Sequence, residues 1–112
     1  MSLRLRIPMH GTRIALWNPM RLYVTCDGKT SIGEWTQTAL TVGRSRQCDI
    51  HVEDRTASSR HCLLVNLGDA WVVCDSGSRN GTFVNGERVA KRMLTPGDRI
   101  AFGHTTIDFE QP

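Results

Sequence analysis

The chain has 112 residues, with 14 Lys and Arg against 11 Asp and Glu and a formal net charge of +3 at pH 7. That length makes one domain, residues 1–112, able to bury a core without a disulfide or metal staple. A charge this mild does not by itself argue for nucleic acid, where a strong basic stripe is expected, and no apolar run approaches the roughly 20 residues of a membrane helix.

Alternating or apolar runs punctuated by turn residues follow one another along the chain. Leu3-Arg4-Leu5-Arg6-Ile7 alternates as a strand with one buried face does, and residues 8 to 20 are an irregular segment broken by Pro8, Gly11 and Pro19 with Trp17 unplaced. Arg21–Cys26 ends at Asp27-Gly28, Ala39–Val42 at Gly43, and a short run covers Asp49–Val52. His61–Leu67 and Ala70–Asp75 read as a hairpin across Gly68-Asp69. Thr82–Val84, Glu87–Val89, Arg99–Phe102 and Thr105–Phe109 follow, separated by Asn85-Gly86, Pro96-Gly97-Asp98 and Gly103-His104. No window keeps a helical period, so the expectation is an all-β antiparallel sandwich or barrel with its loops gathered at two ends.

Of the basic residues only Lys29 and Lys91 are lysine; the rest are arginine, whose planar fork suits two-point contact with phosphate or carboxylate. Arginine, hydroxyl and amide side chains concentrate in three loops: Arg44-Ser45-Arg46-Gln47, Arg55-Thr56-Ala57-Ser58-Ser59-Arg60 and Ser76-Gly77-Ser78-Arg79-Asn80. If these share one end they form a basic rim. Cys26, Cys48, Cys62 and Cys74 include no C-x-x-C pair and have no His-x-x-x-His nearby, so no metal site is expected. Free thiols and the lack of a leader-like apolar stretch at the N-terminus point to a reducing compartment, cytoplasmic or, in a eukaryote, nuclear.

Six fragments occur in an order that resembles the forkhead-associated (FHA) domain family: Gly43-Arg44-Ser45, Cys48-Asp49-Ile50, Ser58-Ser59-Arg60-His61, Asp75 to Gly86, Leu94 to Ile100, and Phe102-Gly103. The resemblance covers about residues 38–110. It implies a β-sandwich of about eleven short strands whose loops at one end bind a phosphothreonine peptide of a partner, with no catalysis, cofactor or small-molecule substrate. By matching position the phosphate-binding arginine is Arg44 and the serine Ser58. Asn80 would bond the peptide backbone, since an amide both donates and accepts. Two positions depart from the pattern: Ser59 stands where a basic residue is frequent, and Arg79 where a hydroxyl is frequent, as if one cation were exchanged for another. Arg60 either widens the basic rim or is a solvated surface charge. Supporting roles fall to the turn residues Gly43, Gly81 and Asn85 and to His61, bonded to the loop that presents Ser58.

A phosphothreonine carries about −1.5 to −2 charges and three acceptor oxygens. Two or three charge-assisted bonds of roughly 1.5–3 kcal/mol each, less ordering costs, give a dissociation constant on the order of micromolar. A phospho-independent assembly module using a sheet face or edge strand is the alternative. An enzyme is disfavoured, because no nucleophile-elbow or thiol–imidazole signature appears.

Overall fold

A computed structural model of the chain describes residues 20–68 and 70–110. Those residues form eleven strands and no helix: β1 Met20–Cys26, β2 Lys29–Trp35, β3 Ala39–Gly43, β4 Ile50–His51, β5 Cys62–Asn66, β6 Trp71–Asp75, β7 Thr82–Val84, β8 Glu87–Val89, β9 Lys91–Leu94, β10 Arg99–Phe102 and β11 Thr105–Glu110. The strand expected at Leu3–Ile7 and the aromatic Trp17 lie outside the described residues.

The strands make two sheets, β2-β1-β11-β10-β7-β8 and β4-β3-β5-β6-β9. Between them lies one apolar core. Leu22, Val84, Ile100, Phe102 and Ile107 enter it from the first sheet, and Leu40, Val42, Leu64, Trp71 and Val73 from the second, each no more than 1% exposed. The all-β sandwich expected from the alternation is therefore present. One pairing departs from antiparallel: β4 runs parallel to β3, with Val42 opposite Ile50. Two strands, β2 and β9, have no counterpart in the sequence reading, and both are sheet edges.

The register assigns every loop to an end. Gly43 of β3, Cys62 of β5, Asp75 of β6, Thr82 of β7, Phe102 of β10 and Cys26 of β1 lie at the same end of their strands. The β3–β4, β4–β5, β6–β7 and β10–β11 loops consequently share one end of the sandwich. The β7–β8 and β9–β10 turns share the other.

Gly43 fixes how closely the first two of these loops approach. It has no left-handed φ, so its requirement is steric and not that of a turn glycine. A Cβ there would lie 2.3 Å from the Ser59 carbonyl oxygen and 3.0 Å from Arg60 Cα. The gap is used by main-chain bonds: Arg44 N donates to Ser58 O at 3.0 Å, Ser45 N to Ser59 O at 3.1 Å, and Val52 N to Gly43 O at 2.9 Å. Gly43→Ala must push the two loops apart, and we expect a loss of about 1–3 kcal/mol. An unchanged urea midpoint would contradict that packing.

Candidate phosphopeptide-binding end of the sandwich

Arg44 leaves the end of β3 into solvent. Its guanidinium Nη1 donates to the Arg55 carbonyl at 3.3 Å, which turns it toward the β4–β5 loop without neutralising its charge. Ser45 and Asp49 shape the rest of the β3–β4 loop. Ser45 Oγ accepts from Gln47 N at 3.1 Å, and Asp49 Oδ2 accepts from Thr41 N at 2.9 Å and Thr41 Oγ1 at 3.1 Å.

Ser58 is where three loops meet. Its carbonyl accepts from Arg44 N, its amide donates to His61 Nδ1 at 3.1 Å, and its Oγ accepts from Arg79 N at 3.0 Å. Because the hydroxyl oxygen is used as an acceptor there, its proton is free to be donated outward. Asn80 joins the same set: its Nδ2 donates to Thr56 O at 3.0 Å, and its Oδ1 has no partner among the described residues. The structure therefore joins Arg44, Ser58 and the Arg79 backbone through direct bonds, and Asn80 meets the same loop through Thr56. Ser59 is exposed and joins the frame through its carbonyl, which accepts from Ser45 N and from Cys48 Sγ at 3.3 Å. Arg60 is exposed on the same loop and makes no hydrogen bond to these groups among the described residues.

His61 is fully buried and stacked on Phe102, with ring centroids 4.2 Å apart. Its Nδ1 accepts from an amide N–H, so its other nitrogen carries the proton and donates to Gly81 O at 2.8 Å. The ring is a neutral strut between the loop of Ser58 and the loop of Asn80. Asp75 folds that second loop, accepting from Gly77 N and Ser78 N at 3.0 Å each, from Ser78 Oγ, and from Thr82 Oγ1 at 2.7 Å.

Asn85 does not support the site. It sits at the opposite end of β7, where it donates to Asp98 Oδ1 at 2.9 Å and accepts from Arg99 N at 2.9 Å. The residue stands five positions from Asn80, but the intervening strand carries it across the sheet. Conversely, Asp54 and Thr56 were not singled out by the sequence reading. Asp54 is 2% exposed and accepts from Thr56 N, Thr56 Oγ1, His104 N at 2.8 Å and Thr105 Oγ1 at 2.7 Å. It thereby clamps the β4–β5 loop to the β10–β11 turn. Gly103 lets the two segments touch, since a Cβ there would meet Thr56 Oγ1 at 2.0 Å. The legible signal was Asp54-x-Thr56, the spacing of a side chain that bonds its own backbone two residues on.

The charges at this end are unevenly matched. Arg21, Arg92 and Arg99, on strands, each form an ion pair of 3.3 Å or less with a carboxylate. Among the described residues Arg44, Arg55, Arg60 and Arg79 form none, and Arg46 reaches Glu53 only at 4.0 Å. The buried Asp54 and the half-buried Asp75 turn to loop donors. The outer surface is left cationic.

Comparison with known proteins agrees with this architecture. The family model described as FHA domain matches residues 40–103. The oxoglutarate dehydrogenase inhibitor of Corynebacterium jeikeium is 38% identical over 73 residues, 65% of this chain and 51% of that protein. The glycogen accumulation regulator GarA of Mycolicibacterium smegmatis is 37% identical over 73 residues, 65% of this chain and 46% of its own length. This chain thus corresponds to about half of those two relatives. A chain solved in a structural and functional analysis of phosphothreonine-dependent FHA domain interactions superposes with a TM-score of 0.76 at 27% identity, covering 82% of this chain and 95% of that one.

The Asp54 clamp makes a pH prediction. Burial pushes its carboxyl up, but the bonds from Thr56, Thr105 and the His104 amide outweigh burial and hold the pKa at about 2. A depressed folded-state pKa means that the stabilisation is complete above the unfolded carboxyl value of about 4 and is lost as pH falls toward 2, with a size of about 2 kcal/mol. Urea unfolding of the wild type and Asp54→Asn at pH 7 and pH 2.5 should show a large gap that narrows in acid. A gap independent of pH would refute the clamp's ionic character.

Proposed function

The chain belongs to the FHA domain family, and from that membership we propose that its loop end binds a phosphothreonine peptide of a partner protein. The observation that carries the proposal is that Ser58 bonds the amides of Arg44 and Arg79 while Asn80 is held by Thr56 of the same loop, with the Ser58 proton and Asn80 Oδ1 unspent among the described residues. Arg44 supplies the cationic fork for the phosphate. Ser58 donates the proton that its bond from Arg79 N leaves free. Asn80, held by Thr56 O, presents Oδ1 and its remaining N–H to the peptide backbone beside the phosphoresidue. The Arg79 guanidinium supplies the second cation that position 59 lacks, and Arg60 extends the positive rim.

The same geometry argues against catalysis. The His61 ring meets the amide of Ser58 and not its hydroxyl, and its other nitrogen is committed to Gly81, so this imidazole is not placed as a base for Ser58. The four cysteines are free. Burial pushes the Cys62 thiol up to about 12, so it is inert. Free thiols suit a reducing compartment such as the cytoplasm. No helix among the described residues is long and apolar enough to cross a membrane. The two relatives named as an enzyme inhibitor and a metabolic regulator suit a module that controls other proteins by contact.

A second reading, phospho-independent assembly, draws on the outer face of the smaller sheet. There Val65, Val72 and Met93 stand side by side across β5, β6 and β9. With Leu67 and Cys74 they line a hollow of about 390 Å³, and Met93 is 61% exposed.

Fluorescence anisotropy with a phosphothreonine peptide library and its threonine and phosphoserine counterparts separates the two readings. We expect binding to the phosphothreonine set alone, weakened about 100-fold by Arg44→Ala at unchanged melting temperature and about tenfold by Ser58→Ala. Equal affinity for all three sets, or self-association untouched by Arg44→Ala, would favour assembly.

A further inference from the structure

Beside Arg44, on the side formed by the β3–β4 and β4–β5 loops, lies a hollow of about 300 Å³ lined by Arg44, Arg46, His51, Glu53, Asp54 and Arg55. None of its walls comes from the loop that carries Arg79 and Asn80. The space is thus distinct from the group of side chains that surrounds Ser58, although Arg44 borders both. We propose that this hollow is a second anion subsite, which takes a carboxylate or a second phosphate of the bound peptide next to its phosphothreonine.

Three observations support it. The first is the surplus of positive charge. Arg44 and Arg55 have no carboxylate partner among the described residues, and Asp54 faces away into its four bonds with Thr56, His104 and Thr105. The second is that the hollow already contains a weakly held anion of its own. The Glu53 carboxylate lies 3.6 Å from His51 Nε2 and 4.0 Å from Arg46 Nη2, with the Glu53 and Arg46 side chains 76% and 85% exposed. His51 and Arg46 are therefore placed to share one anion. Glu53 reaches neither at hydrogen-bonding distance, so a ligand oxygen seated at about 2.8 Å would displace it. The third is contiguity. Arg44 Nη1 is bonded to the Arg55 carbonyl, so a phosphate on Arg44 would lie beside the hollow that Arg46 and Arg55 also line. The charge arithmetic points the same way: a phosphothreonine carries about two negative charges, fewer than the arginines that converge on this end.

The inference rests on the phosphothreonine reading, and one experiment separates their failures. Anisotropy is measured on phosphothreonine peptides flanked by alanine, and on the same peptides with glutamate or phosphoserine at each of the four positions on either side. The proteins are the wild type, Arg46→Gln/Arg55→Gln and Glu53→Gln. We expect the best acidic-flanked peptide to bind the wild type about tenfold tighter than the alanine-flanked one. The double variant should lose that gain and keep its alanine-flanked affinity. Glu53→Gln, which removes the internal competitor, should enlarge the gain. The glutamate and phosphoserine arms tell a carboxylate from a second phosphate. Equal affinity for acidic and neutral flanks, or a gain that survives in the double variant, overturns the subsite while leaving the phosphothreonine reading intact. Failure of the wild type to bind even the alanine-flanked phosphopeptides overturns that reading and the subsite with it.

Discussion

The site end of this molecule depends on one buried imidazole. His61 has no charge to offer and no route to solvent. It accepts from the Ser58 amide on one side and donates to the Gly81 carbonyl on the other while its face lies on Phe102. Two loops, β4–β5 within the smaller sheet and β6–β7 crossing from it to the larger, are held at fixed separation by a group whose own conformation is fixed by the core. Ser58 then relays that position outward, since its carbonyl holds Arg44 and its hydroxyl oxygen holds Arg79. A protonated imidazole would be unable to accept the first of these bonds. The neutral form is therefore part of the architecture.

The electrostatic plan follows from the same division between inside and outside. Two carboxylates at the loop end are spent on the fold. Asp54 ties β4–β5 to the β10–β11 turn, and Asp75 folds the β6–β7 loop, each accepting four hydrogen bonds. On the flanks of the sandwich, arginines are cancelled: Arg21 by Glu34 and Glu110, Arg92 by Glu87, Arg99 by Asp108. A mild net charge of +3 thus conceals a local surplus, because the close arginine ion pairs among the described residues lie on the sheets. An anionic ligand would meet guanidinium groups that need not break an internal pair before they bind it.

The limits of sequence legibility have a physical origin. Strands that contribute to the core were readable from alternation, since Leu22 and Val24, Leu40 and Val42, or Ile107 and Phe109 repeat with the pleat. β2 and β9 were missed because edge strands need no such repeat: Lys29 to Ile32 are exposed on both faces, and β9 buries only Leu94 fully. Arg44, Ser58 and Asn80 were legible as members of ordered motifs, and composition alone would not have isolated them. Asn85 was drawn into the site by its nearness in sequence to Asn80. In a strand each residue advances the chain by about 3.3 Å, so a three-residue β7 is enough to move it to the far end. Asp54 was overlooked because acidic residues in a basic loop read as solvated charge, whereas this one is buried and its partners, His104 and Thr105, are fifty residues downstream.

The bonds that assemble the loop end run almost entirely through main-chain atoms and through side chains turned inward. Arg44, Ser58 and Arg79 are located by their amides and carbonyls, and the guanidinium groups that face solvent have little part in the assembly. Selection can therefore rewrite those outward groups one at a time without renegotiating the frame beneath them. A lineage of such modules is free to change which client it recognises while inheriting the same platform, and an uncharged serine at position 59 beside an arginine at position 79 is a pattern that this freedom permits.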